Sequence, residues 1–182
     1  AALQLGLTPY QDQAWHRHPL AFLVEAADDI CYSIIDLEDG CRLGLVSFEE
    51  TVDLLSGILK EQFRPDKLER HIGLNEKLAV LRALTIGRLA DECATVFLDH
   101  EEEILNGVFD HALADSCPSK SVLDRIAKVS IQKIYRARSV VEIEASGHAV
   151  LPGLLEEFII AGKHLLRKEG SRKYDNLAEL IP

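Results

Sequence analysis

Residues 19–39 read PLAFLVEAADDICYSIIDLED, and this stretch carries the clearest signal of the fold. Proline is suited to the first turn of a helix, so a helix is expected to begin at Pro19 and to end before Gly40. Apolar residues recur at spacings of three and four, as on one face of a helix. The predicted face consists of Leu20, Leu23, Val24, Ala27, Ile30, Ile34 and Leu37. The first element is therefore predicted to be a long amphipathic helix.

The same spacing extends over most of the chain. Further helices are predicted from about 47 to 60, 74 to 105, 121 to 138 and 152 to 168. Aromatic residues make up only 6% of the chain, and residues 140–143 are the one short alternating segment, a candidate strand. The sequence therefore predicts an all-α fold, a compact helical bundle.

Composition limits the class of protein. The chain has 182 residues, 47% of them hydrophobic, and a formal net charge of −10, which argues against disorder and against a main task of neutralising nucleic acid. No apolar run approaches the ~18 residues of a membrane span, so no membrane partner is expected. The cysteines Cys31, Cys41, Cys93 and Cys117 form no CxxC pair, which argues against a thiolate zinc site and a disulfide framework. We therefore expect a cytoplasmic protein.

An acidic row runs along the first predicted helix. Between His18 and Cys41 there is no Lys or Arg, but six acids occur: Glu25, Asp28, Asp29, Asp36, Glu38 and Asp39. Like charges repel, and those near the helix C-terminus are also disfavoured by the macrodipole. Local propensity does not explain the row, whereas an external cation, or basic groups from elsewhere in the fold, would.

Three residues of this helix share one side of it. Asp28, Tyr32 and Asp36 are spaced i, i+4 and i+8. Carboxylates suit a hard divalent cation, and a nucleotide needs acceptors for its sugar hydroxyl. Charge and spacing alone leave two interpretations open: a ligand site, or a solvated acidic face with Tyr32 on the surface.

The amino-acid sequences of two segments resemble those of a known protein family. Residues 17–32, RHPLAFLVEAADDICY, with DLED at 36–39, closely resemble the last motif of bacterial deoxyguanosinetriphosphate triphosphohydrolase-like proteins, members of the HD superfamily of metal-dependent phosphohydrolases. The EAADDICY core at 25–32 is fairly specific to that family. Residues 81–89, LRALTIGRL, also resemble a segment found there. The resemblance covers most of the chain and is strongest at 17–39 and 75–89.

The resemblance implies a helical enzyme that hydrolyses dGTP or another dNTP to the deoxynucleoside and inorganic triphosphate, with a divalent metal ion such as Mg²⁺ or Mn²⁺. By this match Asp28 would be a metal ligand. Tyr32 would lie against the nucleotide near its sugar and phosphates, and Asp36 would accept a hydrogen bond from the 3′-hydroxyl. Arg82 would contact phosphate oxygens, with Arg88 as its competitor. No catalytic residue is identified in the chain.

The family's other metal ligands, a His and a His-Asp pair, lie upstream of this motif. No His-Asp dipeptide occurs in the chain, which also lacks methionine and begins with two alanines. We therefore expect the C-terminal portion of such an enzyme, inactive alone, with its metal site completed by upstream ligands. Residues 1–105 would be the C-terminal part of the HD-type catalytic helical core, and 106–182 a helical region packed on it.

Other functions remain open at this point. The chain could be a non-catalytic helical oligomerisation or regulatory module, or part of another HD-type nucleotide phosphohydrolase. Basic residues cluster between 125 and 138 and between 163 and 173. Such clusters are solvated faces, or they bind a regulatory nucleotide, single-stranded nucleic acid or a neighbouring subunit. The resemblance also implies a homo-oligomer.

Overall fold

Helices make up nearly all of the structure. The computed structural model describes residues 4, 6–7, 9–11, 14–167 and 170–180; Lys168, where the last helix is predicted to end, lies outside them. Two short antiparallel strands, β1 (Pro9–Gln11) and β2 (Ala14–Trp15), pair Pro9 with Trp15. The α-helices that follow are α1 (Pro19–Arg42), α2 (Phe48–Leu59), α3 (Pro65–Leu68), α4 (Leu74–Asp99), α5 (Glu101–Leu105), α6 (Lys120–Val129), α7 (Arg138–Arg167) and α8 (Arg172–Ala178). The predicted all-α class is confirmed.

Helix α1 begins as predicted but ends later. Pro19 is its first residue, and the Nδ1 atom of His18 accepts a hydrogen bond from the backbone N–H of Leu20 at 3.2 Å. The predicted end before Gly40 is wrong, because the helix continues to Arg42. The glycine that follows its end is Gly44, whose φ of 71° is the left-handed conformation that glycine adopts at little cost.

The buried face of α1 is only partly the predicted one. Its buried apolar residues are Phe22, Ala26, Ile30, Ile34, Leu37 and Cys41. The prediction is correct from Ile30 onward, but the side chains of Leu20, Leu23, Val24 and Ala27 are exposed. The physical reason is the edge-on packing of Phe22 against Phe109, with ring centroids 5.5 Å apart. This contact turns the neighbouring face of the first two turns toward the core.

The chain forms two compact units, Ala1–Tyr135 and Arg136–Pro182. In the first unit α1 packs against α4, and α2 packs against both. Its largest fully buried side chains are Ile34, Leu37, Val46, Leu54, Leu55, Ile58, Leu59, Leu78, Leu81, Leu89, Leu113 and Ile126. In the second unit α7 packs against α8, where the ring of His164 stacks on that of Tyr174. The division of function predicted at residue 105 stays a prediction.

Several predicted boundaries are corrected. The helix predicted for 74–105 is interrupted at His100, which separates α4 from α5. The helix predicted for 121–138 is α6 followed by a π-helix, Ser130–Tyr135. Short 3₁₀ helices occur at Lys60–Gln62 and Leu113–Ser116.

The candidate strand at 140–143 is wrong, because these residues lie inside α7. The β-branched residues favour a strand locally, but Arg138 donates to Glu142 at 2.7 Å, an i, i+4 ion pair that only a helix brings together. Pro152 likewise does not begin the last long helix but lies within it. Among the described residues, no helix has the length and hydropathy needed to cross a membrane.

Candidate functional site

The predicted row on α1 lies on an accessible side of the helix. Asp28 is exposed, Tyr32 is 61% exposed and Asp36 is half-buried. The carboxylate of Asp28 has no hydrogen-bond or ion-pair partner among the described residues. An exposed carboxylate with all its acceptor positions free is able to bind a ligand from outside the described structure.

A tyrosine that sequence reasoning missed contacts this row. The phenol of Tyr135 donates a hydrogen bond to Oδ2 of Asp36 at 2.5 Å. The rings of Tyr32 and Tyr135 lie with centroids 6.3 Å apart at 39°. Burial, followed by the hydrogen bond to Asp36, raises the pKa of Tyr135 above the ordinary tyrosine range. The phenol therefore stays protonated, as a donor must.

The position of Tyr135 follows from the path of the chain before it. Tyr135 is the last residue of the π-helix, in which Ile134 is buried against Gly40 of α1. Lys133, in the same segment, pairs with Glu50 of α2 at 2.6 Å. A Cβ at Gly40 would overlap Ile134, so the glycine allows this segment to approach α1 closely. The approach brings Tyr135 to Asp36.

A second missed residue, Glu38, holds the predicted phosphate-binding arginine. The Glu38 side chain is only 3% exposed, and its two oxygens pair with Arg82 at 2.9 Å and with Arg42 at 2.5 Å. At Glu38 these arginines are the basic groups that formed one of the two explanations of the acidic row; the other explanation, an external cation, stays a prediction. Glu38 lies two residues beyond Asp36, about 200° around the helix. The structure therefore places Arg82 beside α1 but not in contact with Tyr32 or Asp36.

The competitor of Arg82 has a different environment. Arg88 pairs at 3.0 Å with Glu92, a buried residue of the same helix. Glu92 also accepts hydrogen bonds from the backbone N–H and the hydroxyl of Ser119, both at 3.0 Å. Arg88 thus belongs to the contacts that join α4 to the start of α6. Arg82 pairs with α1 and Arg88 does not, and the choice between them as the phosphate-binding residue stays a prediction.

The rest of the acidic row is partly compensated. Glu25 pairs with Arg17 at 2.6 Å. Burial raises the pKa of Asp29, and the neighbouring carboxylates of Asp28 and Glu25 raise it further. Asp29 is thus the member of the row on which neighbouring carboxylates act as like charges, while Glu25 and Glu38 are paired with arginines.

The described residues offer few ligands for a metal ion. Among the described residues, no group of three or more His, Cys, Asp or Glu side chains is arranged to hold a metal ion. Asp28 offers one exposed carboxylate as a ligand. The described residues therefore do not form a complete metal site.

Three of the five basic residues between 125 and 138 are paired with acids. Arg125 contacts Asp53 at 2.8 Å, Lys133 contacts Glu50 and Arg138 contacts Glu142. Such pairing reduces the positive potential that a nucleic acid or nucleotide would meet. The predicted anion partners of this segment stay predictions.

Comparison with known proteins gives the family. A deoxyguanosinetriphosphate triphosphohydrolase-like protein of Synechocystis sp. is 38% identical over 169 residues, or 92% of this chain. One of Pseudomonas aeruginosa is 34% identical over 85% of it. The chain is homologous to part of the deoxyguanosinetriphosphate triphosphohydrolase-like proteins. The resemblance predicted from the sequence is confirmed.

The match covers only part of the length of these triphosphohydrolase-like proteins. The deoxyguanosinetriphosphate triphosphohydrolase of Cronobacter sakazakii is 29% identical over 80% of this chain. The chain spans about a third of the length of such relatives, 37% of the Synechocystis protein and 32% of the Cronobacter protein. No family model matches the chain.

Proposed function

We propose that this chain is part of a metal-dependent dNTP triphosphohydrolase that cleaves dGTP or another dNTP to the deoxynucleoside and inorganic triphosphate. The observation that carries the proposal is the accessible row of Asp28, Tyr32 and Asp36, in a chain homologous to triphosphohydrolase-like proteins. Attack of water on the α-phosphorus, with cleavage of its bond to O5′, would release triphosphate intact. The chain alone would be inactive, because its described residues lack a complete metal site.

Asp28 is proposed as one ligand of a divalent metal ion such as Mg²⁺ or Mn²⁺. Hard cations of this kind prefer carboxylate oxygens. The absence of any hydrogen-bond or ion-pair partner for Asp28 among the described residues supports this role. The remaining ligands would come from outside this chain.

Tyr32, Asp36 and Arg82 are proposed to bind the substrate. Tyr135 occupies Oδ2 of Asp36, which leaves Oδ1 to accept a hydrogen bond from the deoxyribose 3′-hydroxyl. Arg82 is 38% exposed and uses one terminal nitrogen on Glu38. Its other N–H groups are able to contact phosphate oxygens, because a guanidinium has five donors.

The cellular compartment and the oligomeric state of the enzyme are also proposed. We place it in the cytoplasm, as a homo-oligomer, because the family resemblance implies assembly and the described cysteines are free thiols. A regulatory nucleotide or single-stranded nucleic acid is a further candidate partner of the basic segments.

Metal binding by the complete protein that contains this chain tests the role of Asp28. Titration with Mn²⁺, followed by electron paramagnetic resonance, is expected to show binding that Asp28→Asn weakens at least about tenfold, given the cost of losing a partner at a metal site. Asp39→Asn, which changes an exposed acid of the same helix, is the matched control and should bind normally.

The same variants separate the enzyme from a non-catalytic module. If the acidic row is only a surface feature, Asp28→Asn should raise stability slightly by relieving repulsion and leave Mn²⁺ binding unchanged. That result would contradict the proposed role of Asp28.

A further inference from the structure

We infer that Tyr135 is a positioning residue for the deoxyribose, holding the Asp36 carboxylate so that its free oxygen receives the 3′-hydroxyl. This inference rests on the proposed function, in which Asp36 binds the sugar. It adds a residue from the far end of the first unit, 99 positions from Asp36.

The contact has the geometry of a strong hydrogen bond. The Tyr135 hydroxyl lies 2.5 Å from Oδ2 of Asp36, which is typical of a hydroxyl that donates to a charged carboxylate. Asp36 is half-buried, and no other described side chain pairs with its carboxylate. The orientation of the carboxylate therefore depends on Tyr135.

Tyr135 is itself fixed by the segment that carries it. The residue before it, Ile134, is buried against Gly40, one helical turn beyond Asp36 on α1. The bond of Lys133 to Glu50 holds the same segment to α2. Single turns of π-helix are frequent at functional sites. Here the turn ends at the residue that contacts Asp36, so the hydroxyl is held in place from two neighbouring helices.

The chemical consequence concerns the 3′-hydroxyl specifically. A carboxylate that is free to rotate offers either oxygen to the sugar hydroxyl at variable angles. A carboxylate whose Oδ2 is held by a hydrogen bond offers Oδ1 to that hydroxyl in one direction. Burial and the bond to Asp36 keep the phenol protonated. The phenol therefore donates to Oδ2 and leaves Oδ1 of Asp36 for the sugar hydroxyl. Loss of the Tyr135 hydroxyl should therefore weaken binding of substrates with a 3′-hydroxyl and spare those without one.

The test compares dGTP with 2′,3′-dideoxy-GTP in the complete protein. For Tyr135→Phe, which keeps the ring, the KM of dGTP is expected to rise about tenfold, as for loss of a hydrogen bond to a charged group. The inhibition constant of 2′,3′-dideoxy-GTP should stay unchanged. Tyr174→Phe, in the second unit, is the matched control and should alter neither constant.

A double variant checks that Tyr135 acts through Asp36. Asp36→Asn should raise the KM of dGTP at least as much as Tyr135→Phe does. In the Asp36→Asn background, Tyr135→Phe should cause no further loss, because the carboxylate it positions is gone.

The outcomes distinguish the two proposals. If dGTP is hydrolysed but Tyr135→Phe weakens dGTP and 2′,3′-dideoxy-GTP equally, or weakens neither, the positioning role is wrong and the proposed function stands. If the complete protein neither binds nor hydrolyses any dNTP, both are wrong. A loss confined to dGTP, absent in the Asp36→Asn background, supports the positioning role.

Discussion

Glu38 is the buried member of an acidic row whose other members are exposed or half-buried. Its carboxylate lies between Arg42 and Arg82, which are each somewhat more than a third exposed. A buried acid without partners would be strongly unfavourable, so the two arginines account for its burial. The stability of the α1–α4 contact should therefore depend on this one carboxylate.

We predict that Glu38→Ala destabilises the protein by about 1–2 kcal/mol. Breaking a fully buried pair costs about 3–5 kcal/mol, but here both arginines can be rehydrated, which reduces the loss. Urea unfolding measures the difference. Glu144→Ala, which truncates an exposed glutamate, should change stability by less than about 0.5 kcal/mol, and equal effects of the two variants would contradict the account.

Tyr135 provides a prediction on pH. Its pKa is raised in the folded state, so the stabilisation by its protonated phenol is complete below the unfolded pKa of about 10 and is lost as pH rises through the folded pKa. An alkaline titration of absorbance at 295 nm, compared between the wild type and Tyr135→Phe, should show that Tyr135 ionises above ordinary tyrosines. Ionisation of Tyr135 near pH 10 would contradict the buried hydrogen bond to Asp36.

Among single residues, the sequence predicted the row on α1 but not the side chains that contact it in the folded chain. Asp28, Tyr32 and Asp36 follow from a spacing within one helix, which is a local property. Glu38 and Tyr135 depend on which segments meet in the folded chain, and Tyr135 is 99 positions from Asp36. Burial was the feature that distinguished Glu38, and composition cannot reveal the burial of one acid among six.

At the scale of elements, Gly40 controls how closely the π-helix approaches α1. We predict that Gly40→Ala destabilises the protein by about 1–2 kcal/mol, although alanine favours a helix by up to about 1 kcal/mol over glycine. The reason is overlap of the new Cβ with Ile134. Thermal or urea unfolding measures this change.

The control is a glycine in another helix. Gly87 of α4 has nothing within 4 Å of an added Cβ, so Gly87→Ala should raise stability by up to about 1 kcal/mol. Ile134→Val should reduce the cost of Gly40→Ala by removing a methylene at the overlap. A Gly40→Ala protein as stable as Gly87→Ala would show that the close approach is absent.

Element boundaries were predicted where the local signal was specific. Pro19 began α1 as expected, because proline at the first position is a local rule. The end at Gly40 was wrong because a glycine can be selected for close packing rather than for its φ; Gly44, with φ 71°, ends the helix instead. The candidate strand at 140–143 was wrong because these residues lie in the first turns of α7, which continues to Arg167, and β-branched residues are tolerated in a long helix.

At the scale of the whole molecule, the cysteines report on the core of the first unit. Cys41, Cys93 and Cys117 are buried and Cys31 is half-buried; the sulfurs of Cys93 and Cys117 lie 3.4 Å apart. The hydrogen bond to Cys93 and burial raise the pKa of the Cys117 thiol. Sequence spacing could not show this pair, because 24 residues separate its members.

We predict that thiol labelling of the native protein modifies Cys31 first, because reactivity follows exposure and thiolate content. Brief alkylation followed by peptide mass mapping measures the order. All four cysteines should react in denaturant. Native-state labelling of Cys117 as fast as that of Cys31 would contradict the packing between α4 and the segment before α6.

The all-α fold class could be predicted from the sequence. Whether the metal site is complete could not, because that depends on residues outside this chain. Apolar spacing predicted an all-α chain because each helix shows its own period. Neither spacing nor charge could indicate the separate unit that begins at Arg136. The expectation that upstream residues complete the metal site stays a prediction, because it concerns residues outside this chain.

Phosphorus NMR identifies the first product of the reaction and so tests the proposed triphosphohydrolase activity. The complete protein that contains this chain would be incubated with dGTP, and separately with the other dNTPs, in the presence of Mn²⁺ or Mg²⁺, beside its Asp28→Asn and Asp39→Asn variants. Inorganic triphosphate is expected as the first product, abolished by Asp28→Asn and retained by Asp39→Asn. Orthophosphate or pyrophosphate as the first product, or no turnover of any dNTP, would contradict the proposed activity.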